Sequence, residues 1–365
     1  MNRPLSIVFI GLSVSSSWGN GHATTYRSLM RGLASQGHEL HFIERDVPWY
    51  AEHRDLPDPE FCKLSYYENA DEITRFEKEI VSADAVILGS YVPDGQLVID
   101  RVARMQPRLF CFYDIDTPVT MAALDRGEET FLARRQVPFF DIYYSFSGGE
   151  VLTRLERDYG AQRAEALYCS VDAERYRPTG EAIEWELGYL GTYSPDRQPV
   201  LDRLLLEPAR ALPDRKFVVA GSQYPKDIDW PDNVDRIDHL PPEEHPSFYS
   251  RQKFTVNVTR ADMVAAGWSP SVRLFEAAAC ATPIISDRWR GIEEVLPEGE
   301  AILLADDTRQ VIDWLCNSTR EERAAIGNSA RDRVLKNHTG EARARELVAT
   351  LRDAGAGTSH YAKAV

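Results

Sequence analysis

The chain has 365 residues and a formal net charge of −15 at pH 7, with 43% hydrophobic and 27% charged residues. That length points to two domains, each able to bury a core of its own. The acidic balance argues against a general nucleic-acid or anionic-membrane surface, since either partner needs a basic face. Cys62, Cys111, Cys169, Cys280 and Cys316 are scattered and lack Cys-x-x-Cys spacing. They give no zinc signature and fit a reducing, cytoplasmic setting.

The apolar run Leu5–Leu12 reads as a strand covered on both faces. It is weakly charged in front and lacks a convincing cleavage site, so a strand is expected rather than a signal peptide. No run approaches a membrane span. A polar loop at 13–22 leads into a helix over 23–35, which Gly37 ends, and a second strand at Leu40–Ile43. Helices are then expected at 73–82, 95–105 and 149–158, with strands at 85–88, 109–113, 142–146 and 167–171. Pro178 and the polar stretch to Glu184 suit a linker. The alternation restarts with strands at 188–191, 217–220, 234–239, 254–259, 284–286 and 301–304. Helices at 199–212, 245–252, from Ser269 to about Cys280, and at 307–317, 320–336 and 341–352 complete it. The fold class is therefore α/β, two doubly wound Rossmann-like domains facing across a cleft. The expected division is 1–178, 179–340, and a C-terminal helix with a tail at 341–365.

The helix that follows the strand at 254–259 carries the most chemistry. Ser269 suits an N-cap and Pro270 a first helical position, and Pro283 marks the stop. Its free N–H groups and dipole suit a phosphate, with Ser271 and Val272 at the start. Arg273 adds a forked cation, and Glu276, about a turn on, offers a carboxylate to a ribose diol. An ordinary helix with Arg and Glu on its wet face has the same composition. Arg197 and Arg260 follow predicted strand ends and, with Arg273, would surround a departing diphosphate. Tyr193, Tyr224 and Trp268 are candidates either for base stacking or for packing.

In the first half, Gly19, Asn20 and Gly21 form a glycine-rich loop that lets backbone approach a ligand. His22 beside it either caps its helix or contacts a phosphate, a sugar hydroxyl or a proton in transfer; Ser15, Ser16 and Ser17 lie close in sequence. Asp114 and Asp116, two apart on an extended segment, share one side. They suit hydroxyl orientation, general base work or a divalent cation, and equally turn and cap chemistry before Pro118.

The run Arg273-Leu-Phe-Glu-Ala-Ala-Ala-Cys-Ala-Thr-Pro-Ile-Ile-Ser286 resembles the nucleotide-binding helix of GT-B glycosyltransferases of the group-1, mostly retaining type. Ser271-x-Arg-Leu-Phe-Glu276 is similar to the CgeB-like branch, and Cys169–Pro178 resembles the segment that closes the first domain in that family. Two positions depart from the pattern. Trp268 stands where the first of two family glutamates falls, and Ala281 where a glycine is usual. The resemblance implies a hexosyltransferase-like enzyme moving a sugar from a nucleoside diphosphate sugar, UDP-sugar favoured, to an unidentified acceptor. It also implies retention of configuration and no metal or cofactor. Glu276, Arg273, Ser271, Val272, Gly191, Thr192, Arg197 and Arg260 would hold the donor. His22, Asp114, Asp116, Arg260 and Arg273 would serve the chemistry, and the last helix would cross back to the first domain. Two other readings stay open. Gly19-x-Gly21 with Glu44 fits a NAD(P)-dependent oxidoreductase, although Thr24 occupies the third glycine position. Trp268 leaves room for a non-catalytic sugar-nucleotide-binding subunit.

Overall fold

Short apolar runs pair into two all-parallel sheets in the computed structural model, which describes residues 3–18 and 21–357. The first contains β1 (Ser6–Gly11), β2 (Glu39–Arg45), β3 (Lys63–Tyr67), β4 (Ala85–Gly89), β5 (Phe110–Asp114), β6 (Ile142–Ser145) and β7 (Ala164–Ala166). Their order is β3-β2-β1-β4-β5-β6-β7. The second contains β8 (Trp185–Leu190), β9 (Phe217–Ala220), β10 (Val234–Ile237), β11 (Gln252–Asn257), β12 (Ile284–Ser286) and β13 (Leu303–Leu304), ordered β10-β9-β8-β11-β12-β13. Central strands carry unbroken apolar runs because helices cover both faces. Ile7, for example, pairs with Leu40 on one side and Ala85 on the other, and all three are buried. Each sheet reverses its winding beside its first strand, between β1 and β4 and between β8 and β11. Ligands of such sheets collect at the carboxyl ends of strands flanking that point.

One compact unit takes the chain as far as Ser170 and again from Gly340; the other is Val171–Thr339. The helix Gly340–Asp353 lies on the helix Gly21–Ser35. The contact is close enough to require two glycines. A Cβ on Gly32 would stand 2.3 Å from the Gly340 carbonyl oxygen, and one on Gly340 2.2 Å from that of Ser28. The Tyr144 hydroxyl, 2.6 Å from Thr350 Oγ1, ties the same helix to β6.

Some elements differ from those the sequence suggests. The strand expected at 167–171 falls earlier, at Ala164–Ala166. Leu167 still donates to Ser145, but Val171 makes only an isolated bridge to Thr339 as the chain passes into the second unit. The helix expected over 199–212 is three pieces: Gln198–Leu201, a π turn at Asp202–Leu206, and Glu207–Ala211. Pro208 has no N–H for the carbonyl one turn back, and the widened turn immediately before it takes up that defect. The helix expected from Ser269 begins at Val272.

Replacing Gly32 with Ala should push the paired helices apart and lower stability by about 1–3 kcal/mol. Urea unfolding of the variant checks this, and an unchanged midpoint would mean the helices separate without cost.

Candidate functional site

In the second unit a cavity of about 440 Å³ opens where the loops after β8, β9 and β10 meet the helix Val272–Ala279. Gly191, Thr192, Arg197, Ser271, Val272, Arg273 and Glu276 all line it. Ser271 has the extended backbone of an N-cap, but its hydroxyl donates to Asn257 Oδ1 (3.0 Å). Ser269 donates to the Gly267 carbonyl (2.8 Å). No side chain caps the helix, so its leading N–H groups remain available to an anion.

Arg273 is anchored on two strand ends. Its Nε donates to Leu190 O, its Nη1 to Asn257 Oδ1 (3.2 Å) and Val258 O (3.4 Å), and its guanidinium lies 4.9 Å over the Tyr189 ring. Gly191 makes room for it: a Cβ there would come within 2.7 Å of Arg273 Nη2 and 2.5 Å of the Tyr189 hydroxyl. Arg197 donates from Nη2 to Thr192 O, while its buried Nε finds no acceptor among the described residues. Burial lowers its pKa, and the charges of Arg273 and Arg260 lower it further. Among the described residues none of these three guanidiniums is in a salt bridge. Arg260 precedes the helix Ala261–Ala266, is exposed, and does not line the cavity. The outcome is positive charge concentrated at an uncapped helix start.

About one turn along the helix, Glu276 accepts from Tyr249 OH at Oε2 (3.3 Å), with His245 Nδ1 at 3.9 Å. His245 Nε2 lies 3.3 Å from the Leu240 carbonyl and Nδ1 3.1 Å from Tyr176 OH. A carbonyl only accepts, so Nε2 carries a proton, while Nδ1 faces the Tyr176 hydroxyl and the Glu276 carboxylate. Burial and the neighbouring Glu276 charge push the Tyr176 and Tyr249 hydroxyls up, which keeps both as donors. Tyr176 OH is hydrogen-bonded to Glu276 as well. Gly221, Ser222, Asp238, His239, Leu240, His245 and Tyr249 also line the cavity and were missed from the sequence. The available signal was position: the first five follow strand ends, and His245 and Tyr249 are four apart on one helix face.

The three candidate stacking aromatics lie outside the cavity lining. Tyr224 and Trp230 hold Arg236 between them at 4.3 Å each, and Arg236 fixes the carbonyls of Val219 (2.6 Å) and Gly221 (3.2 Å). Tyr193 sits edge-on to Tyr224 at 5.5 Å. Trp268 donates to Glu294 (2.9 Å) and covers Gly291. All three support loops.

In the first unit, Glu44 at the end of β2 is fully buried. It accepts from Ser13 Oγ (2.9 Å), Ser15 Oγ (2.6 Å), Val14 N (2.7 Å) and Ser15 N (3.1 Å). Four internal donors occupy the carboxylate, which corrects its reading as a ribose-binding acid and removes the main support for the oxidoreductase. Gly19 and Asn20 lie outside the described residues. Gly21 opens its helix, and a Cβ there would meet nothing within 4 Å. His22 Nε2 stands 3.7 Å from Asp116 Oδ2, the Asp116 side chain being 45% exposed. Asp114 does not share that side. The chain turns into the helix Thr117–Asp125 directly after it, and its buried carboxylate accepts from Tyr143 OH (2.6 Å), Thr120 Oγ1 (2.9 Å) and Asp116 N (3.2 Å). Burial pushes Asp114 up to about 6, against those hydrogen bonds.

Comparison with known proteins meets this geometry at the same half of the chain. Residues 197–349 match the family described as "Glycosyl transferase-like". A mycobacterial D-inositol 3-phosphate glycosyltransferase (Mycobacterium sp. strain JLS) is 27% identical over 42% of this chain. The match spans only 38% of that protein's length. Sucrose-phosphate synthase from Thermosynechococcus elongatus superimposes with a TM-score of 0.67 at 15% identity, covering 98% of this chain and all of that one. Anabaena Alr3699/HepE, solved in complex with UDP, gives 0.69 at 12% identity over 96% and 100%. The fold is GT-B. The GT-B assignment rests on both sheets at once, since these structures are covered from end to end. Among the described residues no helix is long and apolar enough to cross a membrane, and no three His, Cys, Asp or Glu side chains gather as metal ligands would.

Two outcomes are expected. Gly191→Ala should displace Arg273 and lower stability by about 1–3 kcal/mol, as read by urea unfolding. Asp114 holds its proton more tightly when folded, so the stability it contributes is full below about pH 4 and lost as pH rises through about 6. Asp114→Asn should remove that fall, at most about 1.4 kcal/mol per pH unit, from urea unfolding free energies measured between those limits. An unaltered slope would show that Asp114 does not titrate there.

Proposed function

We propose that the protein is a retaining, metal-independent, hexosyltransferase-like glycosyltransferase of the CgeB-like branch that acts in the cytoplasm on a nucleoside diphosphate sugar, UDP-sugar favoured. The observation carrying this reading is the pair Arg197 and Arg273, neither in a salt bridge among the described residues, lining the cavity at an uncapped helix start, with Glu276 about a turn along the same helix. Diphosphate on the cations and helix amides would leave the ribose diol to donate to Glu276. The complex of Alr3699/HepE with UDP supports the choice of base. Dispersed free cysteines suit the compartment.

In the reaction an acceptor hydroxyl oxygen bonds to the sugar's anomeric carbon while the bond from that carbon to the diphosphate oxygen breaks. The electron pair leaves with the diphosphate, and an oxygen of its β-phosphate takes the acceptor's proton. Charge grows on the leaving group, so preorganised guanidiniums stabilise the transition state more than the ground state. The first unit would present the acceptor beside His22 and Asp116. Asp114, buried in hydrogen bonds of its own, would only fix the turn that carries Asp116.

A thermal-shift panel of UDP, GDP, dTDP, ADP and NADH tests the reading. UDP at 100 times its dissociation constant should stabilise the protein by about 2.7 kcal/mol, and Glu276→Ala should abolish the effect. Stabilisation by NADH that survives Glu276→Ala would overturn it. UDP binding with no release of sugar from any UDP-sugar would instead mark a sugar-nucleotide-binding subunit.

A further inference from the structure

The loops after β1, β4 and β5, neighbours in the first sheet, bring three side chains to its switch point: His22, Tyr91 and Asp116. Tyr91 has a left-handed backbone (φ 61°), a conformation that bulky residues avoid. Its ring contacts Phe131, with centroids 4.6 Å apart at 39°, and His22, at 5.3 Å and 87°. Yet Tyr91 is 36% exposed. Phe131 is fixed in turn. Gln96 Nε2 donates to Glu129 O (2.7 Å) and Thr130 O (3.4 Å), and a Cβ on Gly95 would meet Phe131 O at 2.4 Å. Asp116 stands at the N-terminus of its helix without capping it and faces His22 instead.

A rigid, partly open aromatic surface beside one carboxylate and one imidazole matches an amphipathic ligand. We infer that Tyr91 and Phe131 form a platform on which a neutral saccharide acceptor stacks, with its hydroxyls on Asp116 and His22. A pyranose has one face of C–H bonds and a rim of hydroxyls. The face suits a ring that combines an apolar body with a wet tip, and a carboxylate accepts two hydroxyls at once. Asp116, in a protein of net charge −15, disfavours an anionic acceptor. A purely apolar acceptor would make no use of either polar group. This inference rests on the reading of the first unit as the acceptor side and adds the acceptor's class and the residues that select it.

The test is saturation-transfer NMR on the full-length protein without donor, using methyl glycosides of glucose, galactose, mannose and xylose. Glucose 6-phosphate and 4-nitrophenol serve as charged and non-saccharide probes. At least one methyl glycoside should bind, with transfer concentrated on ring protons of one face. Tyr91→Phe should keep its affinity and Tyr91→Asn should lower it at least tenfold, Asn being a residue that tolerates the left-handed backbone. If Tyr91→Asn fails to fold, Phe131→Leu, which removes a ring but keeps bulk, should give the same loss. Binding of no methyl glycoside, binding unaffected by loss of a ring, or binding of only the phosphate or the phenol would each overturn the inference. A thermal shift with UDP on the same samples separates the two readings. Its absence in the wild type would sink the donor site while leaving the glycoside result to decide the platform.

Discussion

One guanidinium, hydrogen-bonded to the ends of β8 and β11, fixes the site of the second unit. Arg273 leaves its helix to bind Leu190 O, Asn257 and Val258 O, so the helix start and the two switch-point strands are held together through it. Other features follow from making room for that side chain. Gly191 gives up a Cβ, Gly221 presses against the Gly191 carbonyl at a backbone angle only glycine takes easily, and Arg236 holds the Gly221 carbonyl from behind. The cations are thus preorganised by backbone acceptors rather than by carboxylates, which leaves their charge for a ligand.

The two units solve the same electrostatic problem in different ways. In each the loop after the first strand lies at the switch point of its sheet. In the first unit Glu44 fills that place, and the chain supplies its own anion. In the second the corresponding space is a cavity edged by arginine. The first of these loops closes on a buried carboxylate of its own chain, and the second edges an open cavity.

Much of the architecture was legible because doubly wound sheets write their strands as short apolar runs. Phe217–Ala220 and Ile284–Ser286 lie where the pattern puts them. β3 was not legible, since Lys63–Tyr67 is only partly buried and alternates weakly. Neither were the short helices Ala261–Ala266 and Ile292–Val295, each little more than a turn. At the site, residues within one helix or one turn could be grouped by spacing, as Ser271, Val272, Arg273 and Glu276 were. His245 and Tyr249 reach Glu276 only through tertiary packing, and no local pattern announces that. Asp114 misled for the opposite reason. The i, i+2 rule holds on a strand, and the strand ends at Asp114.

The close contact of Gly32 with Gly340 also bears on how the chain is made. The first unit is discontinuous, interrupted by the 169 residues of Val171–Thr339, and its helix Gly21–Ser35 is covered only once Gly340–Asp353 exists. At roughly 5–20 residues per second, a ribosome needs about 10–30 s to translate the interruption. For that interval the first unit waits with one face of Gly21–Ser35 uncovered. The unit that is begun first is therefore the one completed last, because its final helix is translated after the whole of the other.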